Sequence, residues 1–514
     1  SCCLCDVYNG ITLFSNAIGL GQSHTYLIDN NYNFINIWAH SAGVVGTSYL
    51  LTDRTIIVQL RSDIHYFGNS HGPIGGRFNK IDWDGSILWE FNYHDFDYHP
   101  HHDIDPLPNG NILVLCWEKK SAQQAQSLGR INVMNEMWPL KIVEIEPVGQ
   151  DSAIIIWEWH IWDHLIQDVD SLLPNYGQIS AHPELVDINL GQFTNPNEGD
   201  WLHTNSIDYN PILDQIVFSS RHLDEIFIID HSTTTADAAS HTGGNSGMGG
   251  DILYRWGSPQ NYNRGGGTNK MLNDQHGVNW IPENYPGSGH LLIFNNNPLD
   301  STGQDNSLGN SSVVEIIIPL NNEGTYDISA DSSYGPSNYH WVFGDDDSFF
   351  SHFQSGAFRL PNGNTFVTVS QEKYLFEIDT SDQIIWEYYF QTESGLDGNT
   401  ARAQKYKPNY FTFSLGDMNY DYKLDIFDLT ILSEMISAGD TFSTNGDMNQ
   451  DNLIDDVDII VCGDTHVTLV HEHNGILMVN PGSATMPNNL MSQLGNLAIL
   501  TIENGIPNVE MIQL

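Results

Sequence analysis

Four short motifs place histidine and arginine next to turns in a chain that is otherwise poor in basic residues. They are HHDIDPLPNGN with His102, DWLHTNSIDY with His203, SSRHLDEIF with Arg221 and His222, and NDQHGVNWIP with His276. The three motifs that carry His102, His203 and His276 each start a predicted β-hairpin. Neutral imidazoles beside one guanidinium suit an anionic substrate that needs a nitrogen nucleophile and hydrogen-bond donors. A transition-metal site is the alternative for the same imidazoles.

These motifs belong to a repeat that predicts a mainly β fold, a six-bladed β-propeller. A strand, a turn and a strand ending in an aromatic residue recur six times, starting at Thr25, Phe78, Ile142, Ile226, Val313 and Leu375. Other hairpins lie between them, and two hairpins per unit indicate four-stranded blades. The segment Ile11 to Phe14 is the predicted strand that completes the ring. Since equivalent positions on successive blades face one channel, the histidine motifs should converge there; a pair of β-sandwiches is the alternative fold.

The propeller region resembles the arylsulfate sulfotransferases, six-bladed propellers of the bacterial periplasm or exterior. The resemblance spans about Gly10 to Phe390 and rests on HHDIDPLPNGNILVL, WLHTNSIDY, SSRH, HSTTTADAASHTGGNSGMGGDILYRWG, QHGVNWIP and SGAFRLPNGNTF. It implies transfer of a sulfuryl group from a phenolic sulfate to another phenol through a sulfohistidine, with aryl sulfates and phenols as partners. Neither the nucleotide donor PAPS nor a catalytic metal is implied. The resemblance places the nucleophile at His276 and the other site groups at His102, His203 and Arg221.

The charge balance of the chain argues against several classes of partner. The 514 residues include 64 Asp and Glu but only 18 Lys and Arg, which gives a formal net charge of −46. Nucleic acids and anionic membranes are therefore poor partners, whereas calcium and other cations are favoured. With 40% apolar residues the chain can bury a large core. No apolar run reaches the ~18 residues that a membrane helix requires.

Two acidic loops after the propeller predict structural calcium sites. Oxygen-bearing side chains occupy loop positions 1, 3, 5, 9 and 12 in both copies, as a hard Ca²⁺ ion requires: Asp417, Asn419, Asp421, Asp425 and Asp428, then Asp447, Asn449, Asp451, Asp455 and Asp458. Over about 50 residues this segment resembles the dockerin module, a helical calcium element that binds cohesin. The second helix meets Gly463 soon after its loop, which argues against a cohesin partner.

The C-terminal stretch predicts a β-rich extension. Asn474-Gly475 and Asn504-Gly505 are hairpin turns flanked by alternating apolar residues. The stretches IIVCGDTH and NPGSA resemble the closing segment of small metallophosphoesterases, but Asp464 replaces the first ligand histidine and upstream ligands are missing, so catalysis by this tail is not expected. The predicted division is a propeller over 1–405, a calcium module over 406–462 and a β-hairpin tail over 463–514.

The termini and cysteines suggest export and leave a second function open. The sequence starts at Ser1 rather than Met, so we expect that a leader has been removed and that the protein is secreted, extracellular or periplasmic. Its five cysteines are an odd number, which permits a bond between chains; they are Cys2, Cys3, Cys5, Cys116 and Cys462. The alternative to the enzyme is therefore a calcium-stabilised structural protein that assembles into a homo-oligomer, polymer or filament.

Overall fold

The computed structural model describes residues 7–411 and five strands of the C-terminal part. Short gaps interrupt the first range at 17–22, 65, 68–72, 134, 192–198, 300–309, 322–323, 330, 345–347, 391–398 and 408–409. The chain divides into two compact units, Ser1–Tyr410 and Phe411–Leu514. The predicted calcium ligands between Asp417 and Asp458, with Cys2, Cys3, Cys5 and Cys462, lie outside the described residues.

The first unit is a propeller of six four-stranded antiparallel sheets, which confirms the predicted fold class. The strands of each blade are given from the inner strand outward. Blade 1 is Gln404–Tyr406, Ile11–Asn16, Ser23–Ile28 and Phe34–His40; blade 2 is Val44–Leu50, Ile56–Arg61, Gly76–Ile81 and Ile87–Asn92; blade 3 is Tyr98–Pro106, Ile112–Glu118, Leu140–Val148 and Ser152–His160. Blade 4 is Thr204–Asn210, Gln215–Ser220, Glu225–Asp230 and Tyr254–Trp256; blade 5 is His276–Trp280, Leu291–Asn295, Ser312–Ile316 and Trp341–Phe343; blade 6 is Gly356–Arg359, Thr365–Val369, Tyr374–Ile378 and Ile384–Tyr389.

The loops between these strands contain short helices and two-residue strands. They are the α-helices Ala122–Ser127 and Thr235–Ala238, the 3-10 helices Ile161–Asp163, Ile179–Ala181, Arg221–Leu223, Pro259–Tyr262 and Gly267–Asn269, and the two-residue strands Lys120–Ser121, Glu136–Met137, Leu165–Ile166 and Val186–Asp187. Inner strands such as His276–Trp280 are buried, whereas outer strands such as Ser152–His160 are more exposed, so the core runs between the blades.

The predicted strand at Ile11 to Phe14 is present in blade 1, but the ring closes through a further strand that the sequence did not indicate. Ile11–Asn16 is the second strand of blade 1, and its inner neighbour is the three-residue strand Gln404–Tyr406, with Thr12 opposite Lys405. The buried Lys405 ammonium pairs with the buried Glu377 carboxylate of blade 6 at 2.6 Å. The two ends of the propeller chain are thus paired in one sheet, which fixes blade 1 between blades 6 and 2.

A tryptophan on the outer strand of every blade explains the six aromatic-ended hairpins. Each indole Nε1 donates a hydrogen bond of 2.7–3.1 Å to the next blade around the ring, at or near its outer-strand turn. The pairs are Trp38 to Asp82, Trp89 to Ser152, Trp157 to Thr233, Trp256 to Pro336, Trp341 to Asp382 and Trp386 to Asn30. A buried indole needs such a partner, and here the partner always lies on the following blade.

A backbone irregularity recurs near the start of the inner strand in four of the six blades. In blades 2 to 5 the register shifts near the start of the inner strand, as in a β-bulge. Left-handed residues mark these places and the entry to blade 6: Gly46, His102, His203, Gly277 and Ser355 all have φ between 48° and 79°. At Gly46 an added Cβ would lie 2.1 Å from the His102 carbonyl oxygen, so only glycine fits. His102 and His203 hold this uncommon conformation despite their side chains, a feature that concentrates at functional sites.

The second unit contains strands Ile459–Val461, Leu469–His473, Ile476–Asn480, Asn496–Glu503 and Ile506–Gln513. Antiparallel pairs flank both predicted Asn-Gly positions, with His473 opposite Ile476 and Glu503 opposite Ile506. Ile459–Val461 pairs in parallel with Ile476–Asn480. Among the described residues, no helix is long and apolar enough to cross a membrane.

Candidate active site

All six blades contribute to one cavity at the channel, as the repeat predicted. Its lining is Gly46, Pro73, His102, Asn205, His276, Gly277, Gln354, Ser355, Ala401 and Arg402. His203 touches His102, with 3.2 Å between their Nε2 atoms, and the positive charge of Arg221 lowers the pKa of His276. The structure therefore brings together the four residues that the sequence singled out.

The two neighbours of His276 Nδ1 fix the tautomer of this imidazole. Nδ1 lies 3.0 Å from the Asp274 carbonyl oxygen and 2.8 Å from Asn296 Oδ1. The Asn296 amide nitrogen donates to the Ser351 and Gln354 carbonyls, so its oxygen must face His276. Both neighbours of Nδ1 are acceptors, and Nδ1 therefore carries the hydrogen. The Nε2 atom of the neutral ring consequently has a free lone pair.

Electrostatics keep this ring neutral. Burial, reinforced by the nearby Arg221 charge, lowers the pKa of His276 from 6.5 to about 3. A neutral imidazole at physiological pH retains its Nε2 lone pair, whereas an imidazolium has none. His276 thus combines the tautomer and the charge state that a nitrogen nucleophile needs.

Asp274 holds both His276 and Arg221 in place. Its carbonyl accepts from His276 Nδ1, and its carboxylate pairs with Arg221 Nη2 at 2.7 Å. The carboxylate is itself fixed by Asn297, whose amide donates to it at 2.7 Å. Arg221 Nε has no hydrogen-bond partner among the described residues. The guanidinium therefore retains donor capacity beside His276.

Three imidazoles and one carboxylate form a continuous chain of hydrogen bonds in this site. Asp200 Oδ2 lies 2.6 Å from His203 Nδ1, His203 Nε2 lies 3.2 Å from His102 Nε2, and His102 Nδ1 lies 2.7 Å from His101 Nδ1. The far nitrogen of His101, Nε2, has no partner among the described residues, and its ring stacks on Trp117 at 4.3 Å. His102 lies in the middle of this chain and also lines the cavity.

This arrangement allows a proton to move along the chain. When all three rings are neutral, His203 donates to the ionised Asp200, His102 donates to His203, and His101 donates to His102. A proton taken up at one ring can be passed to the next by reversing each hydrogen bond. Burial alone would raise the pKa of Asp200, but the adjacent His203 and its hydrogen bond outweigh burial and lower it. Asp200 therefore remains anionic and stabilises positive charge on the imidazoles.

Buried neutral histidines link the stability of the propeller to pH. Burial lowers the pKa of His276 and His101 to about 3, and burial with the neighbouring imidazoles lowers that of His102 well below 6.5. These rings take up protons near pH 6.5 only after unfolding, so their stabilisation is complete above that pH and is lost as pH falls towards 3. His160 and His231 have raised pKa values and act in the opposite direction.

A His276→Asn variant isolates one of these contributions. As the pH is lowered from about 7.5 to 5, the free energy of unfolding of the wild type should fall relative to that of the variant. The two plots of unfolding free energy against pH should differ in slope by up to about 1.4 kcal/mol per pH unit. Urea unfolding followed by tryptophan fluorescence measures it, because all 13 tryptophans lie between Trp38 and Trp386. Parallel pH profiles for the two proteins would contradict a neutral, buried His276.

Several residues of the site were not foreseen from the sequence. Asp200, Asp274 and Asn296 act through hydrogen bonds that depend on tertiary contacts. His101 was visible only as the first member of the His-His pair. Gln275 was visible inside the QHGVN motif; it donates to Ser219, Ser220 and Glu225 of blade 4 and so fixes the start of the His276 strand.

The fold and the channel define a six-bladed propeller whose imidazoles and guanidinium suit chemistry on an anion. A model of the family described as arylsulfotransferase (ASST) matches residues 50–407. The chain therefore belongs to the arylsulfotransferase family, and the family domain supports a general sulfotransferase function with aryl sulfates and phenols as the class of substrates. A model of the calcineurin-like phosphoesterase superfamily domain matches residues 423–505. This match agrees with the predicted resemblance of the tail, but it begins inside the stretch 406–462 that was assigned to a dockerin-like module, and no family model matches a dockerin there.

Several solved structures are similar to this chain at low identity. A Bacteroides caccae protein of unknown function is 11% identical, covering 78% of this chain and 99% of its own with a TM-score of 0.39. Virginiamycin B lyase from Staphylococcus aureus is 11% identical, with 75% and 91% covered and a TM-score of 0.31. The propeller domain of Myceliophteria thermophila Cps50 is 12% identical, with 75% and 90% covered and a TM-score of 0.36. No curated protein matches the chain.

Proposed function

We propose that this protein transfers a sulfuryl group from a phenolic sulfate to an acceptor phenol through a sulfohistidine at His276, without PAPS. The observation that carries the proposal is the fixed tautomer of His276, which leaves Nε2 with a free lone pair. The family domain supplies the reaction class. The self-assembling structural protein is not favoured, since the family model covers residues 50–407 and the predicted histidines converge in the channel.

In the first half-reaction, the His276 Nε2 lone pair attacks sulfur, the N–S bond forms and the sulfur–aryloxygen bond breaks. The His102–His203 pair enters this half-reaction with one added proton, whose charge the anionic Asp200 stabilises, and gives it to the departing phenolate. Charge that spreads over the sulfonate oxygens in the transition state is stabilised by Arg221. Positive charge on the sulfated ring is stabilised by the Asp274 carbonyl and Asn296 Oδ1, which already accept from Nδ1.

In the second half-reaction, the acceptor phenol gives its proton to the same imidazoles and its oxygen attacks sulfur. The N–S bond breaks, and His276 recovers its lone pair. One pair of groups serves both halves because the imidazole that has donated a proton is the base that the acceptor needs. This scheme predicts ping-pong kinetics.

The discriminating assay measures release of 4-nitrophenol from 4-nitrophenyl sulfate with and without phenol. Sustained release that depends on phenol, with one sulfonate group trapped on the His276 peptide when phenol is omitted, supports the proposal. Equal steady-state release without an acceptor indicates a hydrolase and refutes it.

A His102→Asn variant tests the proton donor, since asparagine also tolerates the left-handed backbone of residue 102. We expect a rate loss of roughly 10²- to 10⁴-fold for sulfates of unactivated phenols. The loss should be much smaller for 4-nitrophenyl sulfate, whose leaving group needs little protonation. A rate loss that is equal for both donors would assign His102 to sulfonate binding instead.

Other predicted features remain proposals beyond this reaction. We infer two structural Ca²⁺ sites at 417–428 and 447–458 and export from the cytoplasm. Isothermal titration with Ca²⁺, comparing the full chain with an Asp428→Ala variant, tests the first site. Size-exclusion chromatography with and without chelator and reductant tests whether chains associate.

A further inference from the structure

A second histidine cluster lies away from the channel, between the end of blade 3 and the long loop of blade 4. His164 follows the 3-10 helix Ile161–Asp163, while His241 and Asp251 belong to the loop between the third and outer strands of blade 4. His164 is fully buried, and Asp251 is 5% exposed. Asp251 Oδ1 lies 2.8 Å from His164 Nδ1 and 2.7 Å from His241 Nδ1. One carboxylate oxygen therefore faces two imidazole nitrogens.

If His164 is neutral and Asp251 is a carboxylate, the cluster has too few hydrogens to make all of its short contacts. His164 Nε2 lies 2.8 Å from the Ala238 carbonyl oxygen and must donate to it. A neutral His164 ring then has a lone pair at Nδ1, which points at a carboxylate oxygen. His241 can donate from its Nδ1, but His164 cannot. The short contact between His164 and Asp251 requires one more positive charge, either an extra proton or a metal ion.

We propose that His164, His241 and Asp251 bind one divalent transition-metal ion, with zinc as the best match. Two imidazole nitrogens and one carboxylate oxygen are ligands that zinc accepts in tetrahedral sites, whereas calcium and magnesium prefer oxygen alone. The bond from His164 Nε2–H to a backbone carbonyl is the outer contact that commonly orients a metal-binding imidazole. The ion satisfies the Nδ1 lone pairs of both rings and neutralises the buried Asp251 carboxylate.

The surroundings of His164 are built to hold its ring in one orientation. Trp159 stacks on the imidazole with 5.6 Å between ring centroids and 4° between planes. On the opposite chain segment, a Cβ added to Gly250 would lie 2.6 Å from His164 Nε2, so the backbone packs directly against the ring. Protein contacts alone therefore hold the ring in one orientation, which favours a specific site over a chance cluster.

The proposed site keeps one coordination position for a water molecule or a small ligand. Three protein ligands leave the fourth position of a tetrahedral ion open. His241 has a largely exposed side chain and borders a cavity of about 500 Å³ that Trp162, Tyr176 and His182 also line. The ion would join the segment after blade 3 to the blade 4 loop, so binding should stabilise the propeller.

Cobalt serves as the spectroscopic probe for this site. The full chain, treated with chelator and then saturated with Ca²⁺ to occupy oxygen sites, is titrated with Co²⁺. We expect one equivalent to give the visible absorption of tetrahedral cobalt and Zn²⁺ to displace it. Zn²⁺ should also raise the midpoint of thermal unfolding measured by tryptophan fluorescence.

Two variants separate the cluster from other histidines. His241→Ala removes an exposed ligand without disturbing the core, and we expect it to lower Co²⁺ affinity by at least about 100-fold, the upper end of what loss of an outer-shell partner costs. His182→Ala is the matched control, since His182 borders the same cavity but pairs with Glu184. Equal cobalt spectra in the wild type and His241→Ala overturn the proposal. So does a wild type without tetrahedral cobalt, which would assign the extra charge to a protonated His164.

Discussion

A His276→Ala variant should lose sulfuryl transfer by more than about 10⁴-fold, beyond the loss that removal of a general acid causes. The variant removes the Nε2 lone pair, and no other described imidazole in the channel has a free nitrogen fixed by two acceptors on the opposite side of its ring. Steady-state release of 4-nitrophenol in the presence of phenol measures the effect. The trapped sulfonate should disappear from the peptide at the same time.

Two controls show whether this loss reflects the nucleophile. Asn296→Leu keeps His276 but removes one acceptor from Nδ1, and we expect a loss of roughly 10- to 100-fold, as for a buried hydrogen bond. His340→Ala changes a half-exposed histidine beside Glu315, outside the channel, and should retain full activity. If His276→Ala turned over at the wild-type rate, the assignment of the nucleophile would be wrong.

A Lys405→Met variant should destabilise the propeller by about 3–5 kcal/mol, the usual consequence of removing one partner from a buried ion pair. Glu377 would keep its buried charge, with the Asn364 amide and the Tyr8 backbone N–H among its remaining donors. The affected strand is the one that closes the ring, so the change should weaken blade 1 against blade 6. Urea unfolding followed by tryptophan fluorescence reports on the propeller alone.

The double variant Lys405→Met, Glu377→Gln separates charge from packing. Neutralising Glu377 removes the unpaired buried charge, and we expect most of the lost stability to return. If the single and double variants unfold at the same urea concentration, packing of the Lys405 chain rather than the ion pair holds the closing strand.

Most of the fold could be predicted from the sequence repeat because the same tryptophan hydrogen bond to the next blade recurs in every blade. The aromatic ends of six hairpins correspond to indoles that donate a hydrogen bond to the next blade, and the histidine motifs correspond to left-handed residues in or beside the inner strands. The innermost strand of blade 1 was missed because three residues, Gln404–Tyr406, are too few to show alternation. Its pairing depends on a partner almost 400 residues earlier in the chain.

The sequence predicted the side chains of the site that belong to repeated motifs, but not the residues that orient them. His102 and His203 are the left-handed residues of blades 3 and 4, and His276 directly precedes the left-handed Gly277 of blade 5, so blade periodicity brings the three together. Asn296 and Asp274 determine which nitrogen of His276 is free, yet nothing in their local sequence indicates a partner. Proton positions follow from hydrogen-bond networks, and such networks become visible only when the strands are in register.

The ring of tryptophan hydrogen bonds has a topological consequence. In a linear repeat protein the first and last repeats each have one neighbour and need special caps. Here every blade donates to the following one and receives from the preceding one, so there are as many interfaces as blades and no blade is terminal. Loss of one blade removes two interfaces, so the six blades should unfold together. In a circular permutant of the propeller, the present ends would be joined and new ends opened at a loop between two blades. Such a permutant would still have no first or last blade.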